Sequence, residues 1–531
     1  MEINGVPSSG IIINITNLHW TGKNSMGKRG TSKKKPGDSI EQDTEKALTQ
    51  TEPFYKKALY LVLSAIVLLG FVLRFFDLGR ESLWLDEAVT YYNTNSTSIG
   101  DVWTAAYNDR SPPLHFIALW GVRLLGSSEF WLRFPSACAG VVTIIVIFFF
   151  AREIANENVG LISALLLAVS PYHISYSQEA RFYAFAVLFI AFAYYAFFKA
   201  CKSRQWYDWT FFGVACAAAF YSHFYTSFAI ITLFIGYFII RVKEFDFSKW
   251  SGKIGSINAI IPNDFKLFIF GGTVAFLLVI PIIGSFLHQN QYFLTRSFNW
   301  GLSFWSIPFA TISAFSFSNE IIAFLFIVLM IAGLWMTWRS NKYSTIVMGF
   351  CLFIPVIISM YLSSSIPFYV RYHMYLITIF LVIVGIGIER LAVFLNKKKG
   401  VYVALVIIIL LSIMPLSAYY SGYHKEDWRG FSANLQKITQ PGDIIVPVPG
   451  YMVNPLQYYY SNQSEKTFLK DIAYNEAGFK SLENETGSVY FIVTWDIQAA
   501  DPSGYSQKYL TENTQQQSGS LPGIYLLKKV R

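Results

Sequence analysis

The stretch ALYLVLSAIVLLGFVLRFF, residues 58–76, decides the fold. It runs for 19 residues with one charged side chain, Arg74, near its end. A helix needs about 20 consecutive apolar residues to cross a bilayer, and it satisfies its backbone hydrogen bonds within the segment. Comparable runs follow at 134–151, 159–176, 182–200, 208–222, 224–241, 265–287, 319–338, 344–362, 369–391 and 401–420. A further run, 113–126, is only about 14 residues long and opens on Pro112-Pro113, which suits a re-entrant or interfacial segment. Across all 531 residues, 53% are hydrophobic, 18% aromatic and 14% charged, with a mean hydropathy of +0.39. Soluble domains carry about 25% charged residues. An ordinary soluble enzyme is excluded, and so is a disordered or fibrous chain.

The pattern predicts an all-α polytopic membrane protein with about 11–13 transmembrane helices and a small C-terminal α/β extracytoplasmic domain. The net charge of +9 does not point to nucleic acid, because Lys and Arg punctuate the ends of the apolar runs. With eleven crossings and 113–126 kept at the outer face, the basic loops Lys199/Lys202/Arg204, Arg241/Lys243/Lys249/Lys253, Arg339/Lys342 and Lys397/Lys398/Lys399 all fall inside. Counting 113–126 as a crossing would place them all outside. Arg123 and Arg133 run against the rule. Residues 1–52, with the cluster Lys28, Arg29, Lys33, Lys34 and Lys35, read as a disordered cytoplasmic tail. Residues 53–420 read as the transmembrane catalytic domain, with 77–112 as its first outer loop. Residues 421–531 read as the outer domain, with strand-like runs at 443–446 and 489–493. Cys138, Cys201, Cys216 and Cys351 lie in apolar runs with no pairing pattern.

Polar groups gather at the outer helix ends. The first outer loop carries Trp84-Leu85-Asp86-Glu87-Ala88 and Tyr107-Asn108-Asp109-Arg110-Ser111-Pro112-Pro113-Leu114. From residue type alone, Asp86 reads as an N-cap for residues 87–95. Further sets are Ser170-Pro171-Tyr172-His173, Tyr176-Ser177-Gln178-Glu179-Ala180-Arg181-Phe182-Tyr183, Tyr221-Ser222-His223 and Tyr369-Val370-Arg371-Tyr372-His373. Five histidines, His115, His173, His223, His288 and His373, fall near the outer face. Acids suit general-base or metal duty, and arginine forks suit phosphate. Together they suggest phosphate-linked lipid chemistry. No P-loop or dinucleotide fingerprint follows a strand.

The motifs from Ser111-Pro112-Pro113-Leu114 through Arg133-Phe134-Pro135-Ser136-Ala137 to Tyr176-Ser177-Gln178-Glu179-Ala180-Arg181 resemble the GT-C class of membrane glycosyltransferases. The nearest group is glycosyltransferase family 39, related to dolichyl-phosphate-mannose protein mannosyltransferases. The resemblance covers about residues 58–200. It implies a GT-C-like fold and an inverting transfer of sugar from a polyprenyl-phosphate carrier to an acceptor hydroxyl at the outer membrane face. Asp86 would be the general base, with Glu87 and Asp109 as further catalytic acids. Arg110, Tyr176, Glu179, Arg181, Tyr183, Arg371 and Tyr372 would contact substrate. A divalent metal ion, if bound, would be held by Asp109 and His223. The partners implied are a polyprenyl-phosphate-linked sugar, a hydroxyl-bearing protein, lipid or glycan, and the bilayer, with no nucleic acid. The family's members carry His before Pro-Pro-Leu, where this chain has Ser111. A transporter or flippase of lipid-linked sugars is the alternative, as is a non-catalytic envelope scaffold. A flippase would need mid-membrane charges and an internal repeat, and neither is evident.

Overall fold

The computed structural model describes residues 38–249, 260–295, 301–396, 399–460, 467–469 and 471–530. The basic cluster at 28–35, Lys253 and Lys397/Lys398 lie outside these residues. The first helix, α1, spans Asp38–Phe75, so residues 38–52 are helical where a disordered tail was expected. Every one of the eleven apolar runs is helical, and the chain is a multi-pass membrane protein. Eight of the described helices are long and apolar enough to cross a membrane, or nine if one bent pair counts as a span. The other two runs form α9 (Trp206–Ser222) and α10 (Thr226–Arg241), of 17 and 16 residues. The run at 113–126 yields only the nine-residue α4 (Leu114–Val122), too short to cross.

The loop 77–112 is ordered. It folds into α2 (Leu85–Thr94) and α3 (Ile99–Asn108), and the Ser98 side chain caps α3 by accepting from the Gly100 and Asp101 amides. Beyond α4, α5 spans Glu129–Ile154.

The run 159–176, read as one helix, is two. α6 (Glu157–Ala168) and α7 (Pro171–Ser177) meet at 63°. The break has a local cause. Pro171 cannot continue a helix, but it is well suited to begin one, and the Ser170 hydroxyl caps the new start by accepting from the His173 amide. The last carbonyls of α6 are left without helical partners. The fully buried Arg74 supplies them, donating to Leu167 O at 3.0 Å and Ala168 O at 3.1 Å. It also reaches His173 Nδ1 at 2.8 Å. Thus α1 pins the bend that presents α7, and α8 (Tyr183–Ser203) follows.

Glycines let later helices touch. A Cβ on Gly333, in the helix Glu320–Ser340, would lie 2.2 Å from Ile383 O; one on Gly387 would lie 2.1 Å from Leu329 O. These two residues seat that helix against Ile377–Leu395 backbone to backbone, the usual small-residue solution in lipid.

The C-terminal region holds a five-stranded sheet in the order β2-β1-β3-β5-β4. Its strands are β1 (Asp443–Val448), β2 (Thr467–Leu469), β3 (Val489–Thr494), β4 (Thr514–Gln516) and β5 (Ile524–Lys529). β1 pairs in parallel with β2 and β3, while β5 runs antiparallel to β3 and β4. All of β1 is buried, as a strand covered on both faces should be. One face packs Ile445, Tyr490 and Ile492 under Trp428 and Phe431; the other packs Val446, Phe491 and Leu510 with Phe479.

Candidate functional site

Asp86 and Glu87 fall in the first turn of α2, where acids complement the helix dipole. The N-cap is Trp84, with no side-chain cap, so Asp86 is not the capping residue that its type suggests. Its carboxylate is 26% exposed, and Arg181 Nη2 lies 3.7 Å from its Oδ2. The Arg181 fork is aimed by α2: Nη1 donates to Thr90 Oγ1 at 3.0 Å, and Thr90 in turn donates to the Asp86 carbonyl at 2.8 Å.

Glu87 is wholly buried and fully engaged. Arg133 grips both oxygens at 2.8 Å, the Ala180 amide donates at 2.8 Å and Lys425 Nζ at 3.0 Å. Burial alone would raise its pKa, but Arg133 and Lys425 outweigh it and bring the carboxyl down to about 2. Arg133 also donates to the carbonyls of Leu78, Glu81 and Ser82. This pair therefore fastens the loop 77–112 to α5 and to the segment carrying Glu179 and Arg181. It leaves no oxygen of Glu87 free for a substrate. The buried charge of Arg133 is thereby matched.

Asp109 ends α3 and accepts from Ser111 Oγ at 2.7 Å. Burial pushes its pKa up, partly offset by Arg181. Ser111 thus serves as a hydroxyl donor to this acid. Arg110 takes a left-handed φ of 57° and its guanidinium lies 3.9 Å over the Tyr292 ring. That places it beside Asp109 but turned onto an aromatic face.

Arg371 stands at the start of its helix among rings, 5.6 Å over Trp84, 4.5 Å over Tyr369 and 5.9 Å over Tyr372. Among the described residues it has no carboxylate or hydrogen-bond partner, and its buried Nε is unpaired. It lies within electrostatic reach of Asp86 and Tyr183. Tyr176 sits 5.1 Å from Tyr183, ring to ring. Glu179 is half-buried with Oε2 unpaired; burial raises its pKa to about 7, against the pull of Lys425. Tyr176, Glu179 and Lys425 line a cleft of about 330 Å³ with Tyr419 and His424.

The structure therefore gathers Asp86, Asp109, Tyr176, Glu179, Arg181, Tyr183, Arg371, Tyr372 and His223 around one centre, with Glu87 beneath. The histidines divide. His173 pairs with Arg74, His373 bonds Thr311 and Ser359, and His288 stacks on Tyr107. His115 is buried in α4 against Ser136. His223 alone faces the cluster by ring contact, 5.8 Å from Tyr183 and 5.7 Å from Tyr372. Burial, with Arg181 and Arg371 nearby, pushes its pKa down to about 3. Its Nδ1 accepts the Tyr225 amide at 3.1 Å, so in the neutral ring the proton sits on Nε2. That nitrogen then offers a donor and not a lone pair, so His223 does not fit as a partner of Asp109 on a metal. Among the described residues no group of three or more His, Cys, Asp or Glu could hold one. Sequence reasoning missed Lys425, which reaches Glu87 from 338 residues away with no local signal.

The chain has the fold of the GT-C membrane glycosyltransferases. The oligosaccharyltransferase AglB of Archaeoglobus fulgidus, in complex with an inhibitory peptide and a dolichol-phosphate, superposes with a TM-score of 0.54 at 11% identity, covering 90% of this chain and 75% of that one. ArnT from Cupriavidus metallidurans, bound to undecaprenyl phosphate, gives 0.53 at 11% identity over 89% and 98%. Residues 109–262 match the family model described as dolichyl-phosphate-mannose-protein mannosyltransferase. An uncharacterized protein of Aquifex aeolicus (strain VF5) is 26% identical over 149 residues, and the match covers 26% of this chain and 30% of that relative's length.

Proposed function

We infer that this protein transfers a sugar from a polyprenyl-phosphate carrier to an acceptor hydroxyl at the outer membrane face, with inversion. The observation that carries the reading is the pairing of a partly open carboxylate, Asp86, with two cations, Arg181 and Arg371, the second of which makes no ion pair among the described residues. An unpaired, half-buried guanidinium is costly unless an anion arrives to meet it. A lipid phosphate is such an anion, and a planar fork suits its oxygens. The acceptor hydroxyl gives its proton to the Asp86 carboxylate as its oxygen bonds the anomeric carbon. The carbon–phosphate oxygen bond breaks, and its electron pair stays on the phosphate beside Arg371 and Arg181. The leaving group is already a stable anion, so the cations suffice without a strong acid. Glu87 is a positioning residue in this scheme, and no step passes through a metal.

The family match over 109–262 and the polyprenyl phosphates held by two proteins of the same fold support the donor class. The test is transfer from radiolabelled polyprenyl-phosphate hexoses by purified protein in lipid, with membrane extract as acceptor. Asp86→Asn should lower the rate by at least about 10²-fold while donor still binds. Arg371→Gln should weaken donor binding as well. Full activity in Asp86→Asn would remove it as the base. No turnover of any donor or acceptor by the wild type would shift the reading towards transport.

A further inference from the structure

A second concavity lies on the C-terminal sheet, away from Asp86. It measures about 480 Å³, within the range of small-molecule sites, roughly 300–1,000 Å³. Its floor is apolar, from Val493 and Leu527 on adjacent strands and Leu510 on the helix Tyr505–Asn513. Its rim carries the side-chain amides of Gln498, Gln507 and Gln516 and the rings of Trp495 and Tyr525. The two aromatic residues are 67% and 46% exposed, far more than a folded core requires. The lining holds no Asp, Glu, Lys or Arg.

This set selects a ligand chemistry. The absence of charge in the lining disfavours phosphates, nucleotides and acidic sugars, which need a counter-charge. Amide side chains both donate and accept, so they match a ligand whose hydroxyls do the same. Aromatic rings with one face free take up C–H-rich faces at small entropic cost. A neutral saccharide has both properties. A peptide added to the sheet edge would use β4, but that strand is only three residues long.

A chain of contacts runs from its rim towards the site. Trp495 donates through Nε1 to Glu426 at 2.9 Å, which fixes its ring. The next residue, Asp496, accepts from Tyr451 and lies within electrostatic reach of Tyr369, as does Asp86. Tyr369 is the ring beneath Arg371.

We propose that this pocket binds a neutral oligosaccharide, the sugar portion of a substrate whose reacting end lies at Asp86. The binding claim stands on the pocket itself; only the assignment of its occupant as a substrate rests on the transfer reading above. The test is saturation-transfer-difference NMR on the full chain in lipid nanodiscs. The probes are neutral mannose and glucose di- to tetrasaccharides, a glucuronic acid disaccharide and an unstructured Ser/Gly/Thr peptide. The neutral sugars should bind. Tyr525→Ala and Gln507→Ala, both at exposed positions, should each weaken binding by about five- to tenfold, the size of one lost aromatic or hydrogen-bonding contact. Asp86→Asn should bind as the wild type does, so a failed transfer reading would not remove this signal. Displacement by a polyprenyl-phosphate sugar would mark the donor as the natural source, and its failure would mark the acceptor glycan. No signal from neutral sugars, preference for the acidic disaccharide or the peptide, or unchanged binding in both exposed variants would overturn the proposal.

Discussion

Asp86 and Glu87 are neighbours in sequence, and a helix turns their side chains about 100° apart. One meets Arg181 at a partly open centre, and the other meets Arg133 in a closed one. Glu87 folds with its pKa held at about 2, below the ordinary 4.5. A depressed carboxyl contributes stability above its unfolded pKa and loses it as pH falls, here between about 4.5 and 2. A shift of that size corresponds to about 3 kcal/mol. Wild-type protein in lipid should therefore lose thermal stability steeply in that window. Glu87→Gln should be less stable at neutral pH by about 3–5 kcal/mol, because Arg133 keeps an unmatched buried charge, and its acid dependence should flatten. An equally steep acid loss in the variant would place the titrating group elsewhere. Glu179 works in the opposite sense. Its folded pKa of about 7 lies above the ordinary value, so stability declines as pH rises from about 4.5 to 7 and then levels. Its ionisation adds a negative charge near Arg371 and Lys425 at neutral pH. Transfer should show an inflection near pH 7 that Glu179→Gln removes, and an inflection that survives would belong to another group. Residue types and motif order singled out Asp86, Arg181 and Arg371, which the structure brings near one another. The difference between Asp86 and Glu87 was not legible, because it depends on Arg133 and Lys425 arriving from distant segments.

At the scale of elements, hydropathy located all eleven apolar runs but not their breaks. The Ser170-Pro171 pair is a start signal that a window average over 159–176 submerges. The bend matters because α7 carries Tyr176 and leads into Glu179. Glycine contacts were equally hidden, since a lone glycine in an apolar run carries no sign of what it faces. At Gly333 it faces the Ile383 carbonyl. Gly333→Ala should force the two helices apart and cost about 1–3 kcal/mol, read as faster thermal inactivation in detergent. Gly284→Ala is the matched control, because a Cβ there meets nothing within 4 Å. It should be neutral or slightly stabilising, as alanine is the better helix former. Equal losses in both would mean that helix propensity and crowding are not separable here.

At the scale of the molecule, the C-terminal sheet region and the loop 77–112 share one face whatever the orientation in the membrane. Ser82 Oγ donates to Asp427 at 3.1 Å, the Leu83 amide to the Tyr459 hydroxyl at 2.7 Å, and Lys425 to Glu87 at 3.0 Å. Arg429 reaches back to Glu129 at the start of α5. The far ends of the helices carry another charged group, in which Arg204 meets Glu244, and Arg241 meets Asp264. A lipid-linked sugar met at Asp86 therefore lies on the same side as the sheet, and the orientation of one fixes that of the other. The positive-inside pattern assigns the Arg204 end to the cytoplasm. A cysteine placed at the exposed Lys508, on the sheet side, should react with an impermeant maleimide on intact cells. One at the 39%-exposed Arg204 should react only after permeabilisation. The native cysteines give little background, since Cys201, Cys216 and Cys351 are buried and Cys138 only partly open. Labelling of Arg204→Cys from outside, with Lys508→Cys protected, would invert the topology. It would then place Asp86 and the lipid-phosphate chemistry on the cytoplasmic face, where a sugar donor would need no prior passage across the bilayer.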